Sequence, residues 1–227
     1  MRHYVAQRSR EWFGLRIGKV TSTRLKTIAH GTLAAQSKLL DAMEWEVENS
    51  EEAIDTAMEG FGYKTPSSIA LGREREQWLI ARYEIKVQQL TGQKPKLDFP
   101  GFVTHDHIPE LGCSPDWLNL SGKSCVGEGK TRVDRLKHEF AMKRGLLPED
   151  KDQVYCHMMC CGIPRADYVS YCPEFPAETS LCIVTIEQDV IYSNFLYAEL
   201  NRFIKHFRAG TRPTVPQVES GVPSFFD

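Results

Sequence analysis

The stretch CSPDWLNLSGKSCVGEGKT, Cys113–Thr131, sets two apolar-rich segments on either side of Ser121-Gly122-Lys123. Serine and glycine favour a turn, so the flanking runs read as a hairpin with strands over 111–120 and 124–131. With those three residues as the loop, Leu120 opposes Ser124, Leu118 opposes Val126 and Asp116 opposes Glu128. Opposed residues of an antiparallel pair carry Cβ atoms about 4.5–5.5 Å apart on one face. Lys130 joins that face, because side chains alternate along a strand with period two. A two-residue loop would slip the register by one and part the two carboxylates.

Two carboxylates this close repel, and each raises the other's pKa unless a cation lies between them. Mg²⁺ suits a site of one or two carboxylates completed by waters and substrate phosphate oxygens, with Mn²⁺ as a substitute. Such an ion polarises a phosphoryl group and activates water, while Lys130 orients that water or steadies the charge of the transition state. Phosphodiester hydrolysis is the reaction this chemistry suits. The same short pattern also describes a solvated strand edge carrying ion pairs.

The 227 residues are enough for a sizeable core, and with no repeat and no linker-like stretch they read as one domain over 1–227. Within it, a catalytic core is expected over about 65–190 and a Pro-rich tail over 211–227. No apolar run reaches the roughly 18 residues that span a bilayer, and the opening MRHYVAQRSREW lacks the apolar middle of a signal peptide. A cytoplasmic protein without a membrane partner is expected. The net charge of −2 argues against a surface coated in phosphate-binding groups but allows a local basic groove. Seven cysteines suit reduced thiols better than a disulfide framework. Cys156, His157, Cys160 and Cys161 are candidate zinc ligands, yet their spacing matches no common finger and on a helix they point in several directions. His105 and His107, beside a turn, read as polar loop.

The first half reads helical. TSTRLKTIAH opens with an N-cap candidate, QSKLLDAMEWEVENSEEAI continues the helical spacing, and Ser67 to Leu90 forms a long helix stopped by Thr91-Gly92. Strands are expected from near Phe102. After the hairpin, VDRLKHEFAMKR and DKDQVYCHMMCCG read as helices, ADYVSYCPE and SLCIVTIE as strands, and IYSNFLYAELNRFIKHFRAG as a closing helix. Helices before, between and after the strands imply an α/β fold, a central mixed sheet flanked by helices.

Ser114-Pro115-Asp116, followed by Glu128-Gly129-Lys130, resembles the PD-(D/E)xK nuclease superfamily, whose core is that of restriction endonucleases. More specifically, the chain is similar to the phage lambda exonuclease and YqaJ-type viral recombinase family. The stretch from Glu11 to Thr23 is similar to that family's W-x-x-L-R-x-G-x-I-T-x-S segment, with Arg16 at the arginine and Thr23 where serine is usual. Leu71-Gly72-Arg73-Glu74-Arg75-Glu76 resembles its G-x-x-x-E helix, and Asp152-Gln153-Val154-Tyr155 its Q-V-Q helix. The segments keep the family's order from Trp12 to Gln153, about two thirds of the chain. Gly129 departs from the usual apolar residue between the glutamate and lysine, which suggests a bulge or a close backbone approach.

The resemblance implies that Asp116 and Glu128 hold Mg²⁺ with help from Glu76, and that Lys130 and Gln153 position the attacking water. It implies that Arg16, Thr23 and Ser114 grip a 5′-phosphate. The expected activity is a 5′-to-3′ exonuclease that degrades the 5′-ended strand of linear duplex DNA and leaves 3′ single strands for phage recombination. A homotrimeric ring, a single-strand annealing partner, and a phage or prophage gene expressed in a bacterial cytoplasm are implied with it. An endonuclease of the same superfamily and a non-catalytic DNA-binding module are the rival readings. The cationic run Arg132, Arg135, Lys137, His138, Lys143 and Arg144 suits either a solvated face or phosphate contacts.

Overall fold

The computed structural model describes residues 1–63 and 67–214, and for 61–63 and 67–74 the backbone alone. The order of elements is β1 (Arg2–His3), α1 (Arg10–Arg16), α2 (Ser22–His30), α3 (Leu33–Glu48), α4 (Ser50–Tyr63) and α5 (Ser67–Thr91), then β2 (Leu97–Asp98), β3 (Phe102–Thr104), β4 (Gly112–Cys113), β5 (Trp117–Asn119) and β6 (Cys125–Thr131). There follow α6 (Arg135–Arg144), α7 (Pro148–Cys161), β7 (Arg165–Tyr171), β8 (Leu181–Glu187) and α8 (Val190–Ala209).

The five-stranded sheet runs β2-β5-β6-β7-β8 and is mixed: β6 and β7 are parallel, and the other neighbours are antiparallel. A parallel neighbour needs a crossover, and α6 with α7 supplies it between β6 and β7. The α/β expectation of a mixed sheet flanked by helices holds. The chain's helical starts and stops follow local chemistry. Ser9 and Asp189 cap α1 and α8 by accepting from backbone amides, while Gly162 and Gly210 take left-handed conformations at the ends of α7 and α8.

The hairpin register is the expected one, with Leu118 opposite Val126. Its first strand is shorter than expected. Residues 111–120 divide into β4, which belongs to a small antiparallel sheet β1-β3-β4, and β5, which belongs to the large one. Pro115 lies in the break, where it lacks the N–H a ladder needs. The helical run expected from Gln36 to Ile54 also divides, at Asn49 between α3 and α4. Of the apolar residues on α5, Leu79 and Tyr83 are buried, but Trp78 and Ile85 are exposed. Ile69 lies outside the described side chains, as does the tail from residue 215 onward.

Apolar groups cover both faces of the large sheet. On one face Leu118, Val126, Ala166 and Tyr168 join α2, α7 and α8 in the main core. On the other, Trp117, Val169 and Tyr171 pack under Leu79 and Tyr83 of α5. Gly127 and Gly129 face this second layer. A Cβ at Gly127 would lie 2.0 Å from Trp117 Cε2, and one at Gly129 would lie 2.9 Å from Leu79 Cδ2. Gly129 pairs in register with Val169, so it marks a close approach and not a bulge.

Candidate active site

Between β5 and β6 the ladder ends at Trp117 opposite Gly127, one residue before Asp116. The Asp116 amide donates to Gly127 O at 3.2 Å. Its carboxylate accepts from the Gly129 amide at 2.7 Å. That bond fixes the acid at the mouth of the hairpin, beside Glu128. Burial pushes the Asp116 carboxyl well up from its ordinary value, and the charges of Glu128 and then Glu76 add to the rise, so the three acids share one neighbourhood.

Glu128 is buried on β6, with Oε1 2.7 Å from Lys130 Nζ. Its other oxygen, Oε2, lies 3.3 Å from His157 Nδ1, close enough for an ion pair but not aligned as a hydrogen bond. Both atoms are buried without a hydrogen-bond partner. Burial holds the His157 pKa down, so the imidazole is neutral and offers Glu128 no full charge. Lys130 donates to Gln153 Oε1 at 2.8 Å and stands 4.0 Å from Asp150 Oδ1. Burial alone would lower the Lys130 pKa, but Glu128, Asp150 and Asp116 outweigh it and hold the amine protonated.

Successive turns of α7 thus meet β6 in reverse order. Asp150 binds Arg132 at 2.5 Å, Gln153 binds Lys130, and His157 faces Glu128. Tyr168 from β7 completes the first rung by donating to Asp150 Oδ2 at 2.7 Å. Asp150, Arg132 and His157 were not expected here. The signal for Asp150 and His157 was in the spacing, because residues three before and four after Gln153 share its helix face, and Arg132 follows Lys130 at the strand's period of two.

Carboxylates, among them a buried Glu128 Oε2 with no hydrogen-bond partner, are the donors a hard divalent cation takes, so the residues present fit Mg²⁺ or Mn²⁺ in kind. They are not drawn into a ready ligand cage: among the described residues no three His, Cys, Asp or Glu side chains converge tightly enough to hold an ion as they stand. The salt bridge from Lys130 and the amide bond from Gly129 each occupy one carboxylate oxygen. The cysteine and histidine cluster considered for zinc disperses. His157 turns to Glu128, whereas Cys160 donates to Val103 O at 3.2 Å. His105 Nδ1 accepts from the amides of His107 and Ile108, a turn contact.

The end-binding residues divide. Trp12 Nε1 donates to Gly101 O at 2.9 Å and to Ser114 Oγ at 3.0 Å, while the Arg16 guanidinium stacks 4.2 Å above the same indole. Trp12 therefore gathers Arg16 and Ser114 around one side chain. Burial, and then repulsion from Arg24, lowers the Arg16 pKa to about 10. Arg24 is neutralised by Glu46, but Arg16 has no ion pair among the described residues. A cavity of about 490 Å³ opens beside it, lined by Trp12, Phe13, Arg16, Arg24, Trp45 and Glu46 among others. Thr23 is exposed on the first turn of α2, and no hydrogen bond joins it to Arg16 or Ser114.

The cationic run also divides. Arg132 is held by Asp150, and His138 is buried between Ser170 Oγ and Thr179 O, each at 2.8 Å. Lys137 and Lys143 pair with Glu149 and Glu139, and Arg135 stacks on Phe175. These side chains form a face with local partners.

No protein-family model and no curated protein matches the chain. Solved structures do. An alkaline exonuclease from Laribacter hongkongensis matches at a TM-score of 0.71 and 25% identity, over 89% of this chain and 94% of that one. The same exonuclease in complex with dAMP matches at 0.68 and 26%, with the same coverage. A phage-related exonuclease from Haemophilus somnus 129PT shares the fold at a TM-score of 0.50 and 13% identity, over 91% of this chain and 95% of that one. In architecture the chain is similar to the alkaline exonuclease over 89% of its length.

Proposed function

We propose that the protein is a Mg²⁺-dependent exonuclease that enters at an end of linear duplex DNA and degrades the 5′-ended strand. The observation that carries this reading is the convergence of Asp116, Glu128, Lys130 and Gln153 at the mouth of one hairpin, with Glu128 Oε2 buried without a hydrogen-bond partner. Asp116 and Glu128 would hold the cation with Glu76 beside them. When bound, the cation supplies positive charge at the scissile phosphoryl group. Lys130, held protonated, and Gln153, bonded to it, would orient the attacking water and balance the charge that develops on phosphate.

Arg16 supports the preference for a terminus. A half-buried guanidinium with an aromatic partner and no ion pair among the described residues attracts an anion, and a terminal phosphate carries more charge than an internal one. Ser114 would add a hydroxyl contact, and Thr23 would join only through movement of α2 or of the DNA. The products would be 3′ single strands for phage recombination, handed to an annealing protein, with a homotrimeric ring around the duplex. A ring would let a chain of net charge −2 keep its basic groups inside.

The test is digestion of linear duplex bearing 5′-phosphate or 5′-hydroxyl ends, with and without Mg²⁺, beside closed circular plasmid. The reading expects Mg²⁺-dependent release of nucleotides, at least about tenfold faster from 5′-phosphate ends, a step worth about 1.4 kcal/mol. Equal rates on the two ends would remove the role of Arg16. Cutting of the closed circle would favour the endonuclease.

A further inference from the structure

One group of reactive side chains stands outside the proposed chemistry. Cys113 ends β4, and its Sγ lies 3.8 Å from Sγ of Cys161, the last residue of α7. Both thiols are free. Cys113 is buried, whereas Cys161 is half-buried and open to small solutes. Cys160, the other thiol close to Cys113, is engaged by Val103 O at 3.2 Å and Leu111 O at 3.9 Å. Cys161 is the last residue of the helix, next to Gly162 in its left-handed conformation.

We propose that Cys113 and Cys161 are a site of reversible oxidation, closing to a disulfide when the protein meets a peroxide. The Cys161 thiolate attacks one peroxide oxygen; the O–O bond breaks, the sulfur becomes a sulfenic acid, and the peroxide is reduced to water. The Cys113 sulfur then attacks the Cys161 sulfur; the S–O bond breaks, and the hydroxyl leaves as water with the Cys113 proton. Burial pushes the Cys113 thiol up and shields it from solutes, which leaves the first step to the more open Cys161.

A disulfide brings its sulfurs to about 2.05 Å, so the pair must close most of its present gap. The movement falls on β4, two residues long, and on the chain directly after it, Ser114-Pro115-Asp116. The oxidised bond would therefore strain the segment that carries the hairpin's first acid. Cys113 directly precedes Ser114, whose hydroxyl accepts from Trp12, so the bond would bear on both parts of the site.

The experiment treats the folded protein with hydrogen peroxide, blocks remaining thiols, and maps tryptic peptides. Cys113 is alone in the peptide 97–123, and Cys161 shares 152–165 with Cys156 and Cys160. The expected result is a 97–123/152–165 cross-link that dithiothreitol removes. It should persist in Cys160→Ser and vanish in Cys161→Ser. Fragmentation of the wild-type linked peptide assigns the sulfur directly, whether or not either variant folds. No cross-link, a link through Cys160, or Cys161 recovered as sulfinic acid would each overturn the proposal. The readout is covalent structure, so its failure is separate from any failure of the nuclease reading.

Discussion

The two faces of β6 show how one strand can serve two opposite tasks. Toward α7 it presents Glu128 and Lys130, met by Gln153 and His157, with Asp150 and Arg132 next along. Toward α5 it presents Gly127 and Gly129, which carry no side chain, so that Trp117 and Leu79 can press onto bare backbone. One face concentrates charge, and the other has none to offer. Charges of a site need rigid placement, and here the rigidity comes from the reverse side, where an aromatic ring packs against the strand.

The largest effect should come from breaking the charged face. Lys130→Ala is expected to lower nuclease turnover by about 10²–10³-fold, the range seen when one preorganised electrostatic donor is removed. Its thermal unfolding should remain cooperative, and binding to duplex ends, measured by fluorescence anisotropy, should largely persist. A variant that still cuts at the parent rate would place the chemistry elsewhere.

The bare face should respond in stability. At Gly127 an added methyl meets the fixed Trp117 ring at 2.0 Å, whereas at Gly129 it meets the end of Leu79, which can rotate. Gly127→Ala is expected to cost about 3 kcal/mol and Gly129→Ala about 1 kcal/mol, the two ends of the overpacking range. Urea titration would measure both, and equal losses would mean that Trp117 yields as easily as Leu79.

A smaller effect than that at Gly127 concerns the rung that supports the charged face. Burial would raise the Asp150 carboxyl, but Tyr168, Lys130 and Arg132 outweigh it and hold its pKa below the ordinary value. A depressed acid adds stability that is present above its unfolded pKa, roughly 3.9, and fades as pH falls through the folded value. Asp150→Asn should therefore lower stability by about 1–2 kcal/mol at neutral pH, since a hydrogen bond to a charged group is worth about that. The difference should shrink below about pH 4. A gap independent of pH would assign Asp150 to packing alone.

Much of the hairpin was legible because its information is local. A Ser-Gly-Lys turn and alternating side chains are enough to place Leu118 opposite Val126 and to bring Asp116 near Glu128. The break between β4 and β5 was not legible, since two short strands of different sheets read as one apolar run and only Pro115 marks the join. Gly129 was noticed as a departure, but its reason lies in Leu79 and Trp117, which approach it from other elements. Arg132 and His138 looked like part of a basic surface, and their burial depends on Asp150, Ser170 and Thr179 arriving from elsewhere in the chain. Partners of that kind follow from tertiary packing, which neither period nor propensity encodes.

The indole of Trp12 has a wider consequence. It touches Gly101, Ser114 and Arg16 at once, so the first helix and the approach to Asp116 hang on a single aromatic peg. Under the proposed reading, a terminus seated against Arg16 would tug the same peg that steadies the cutting strand. Sensing an end and severing a bond would then be one motion, and phenylalanine there would keep the stack while cutting both tethers.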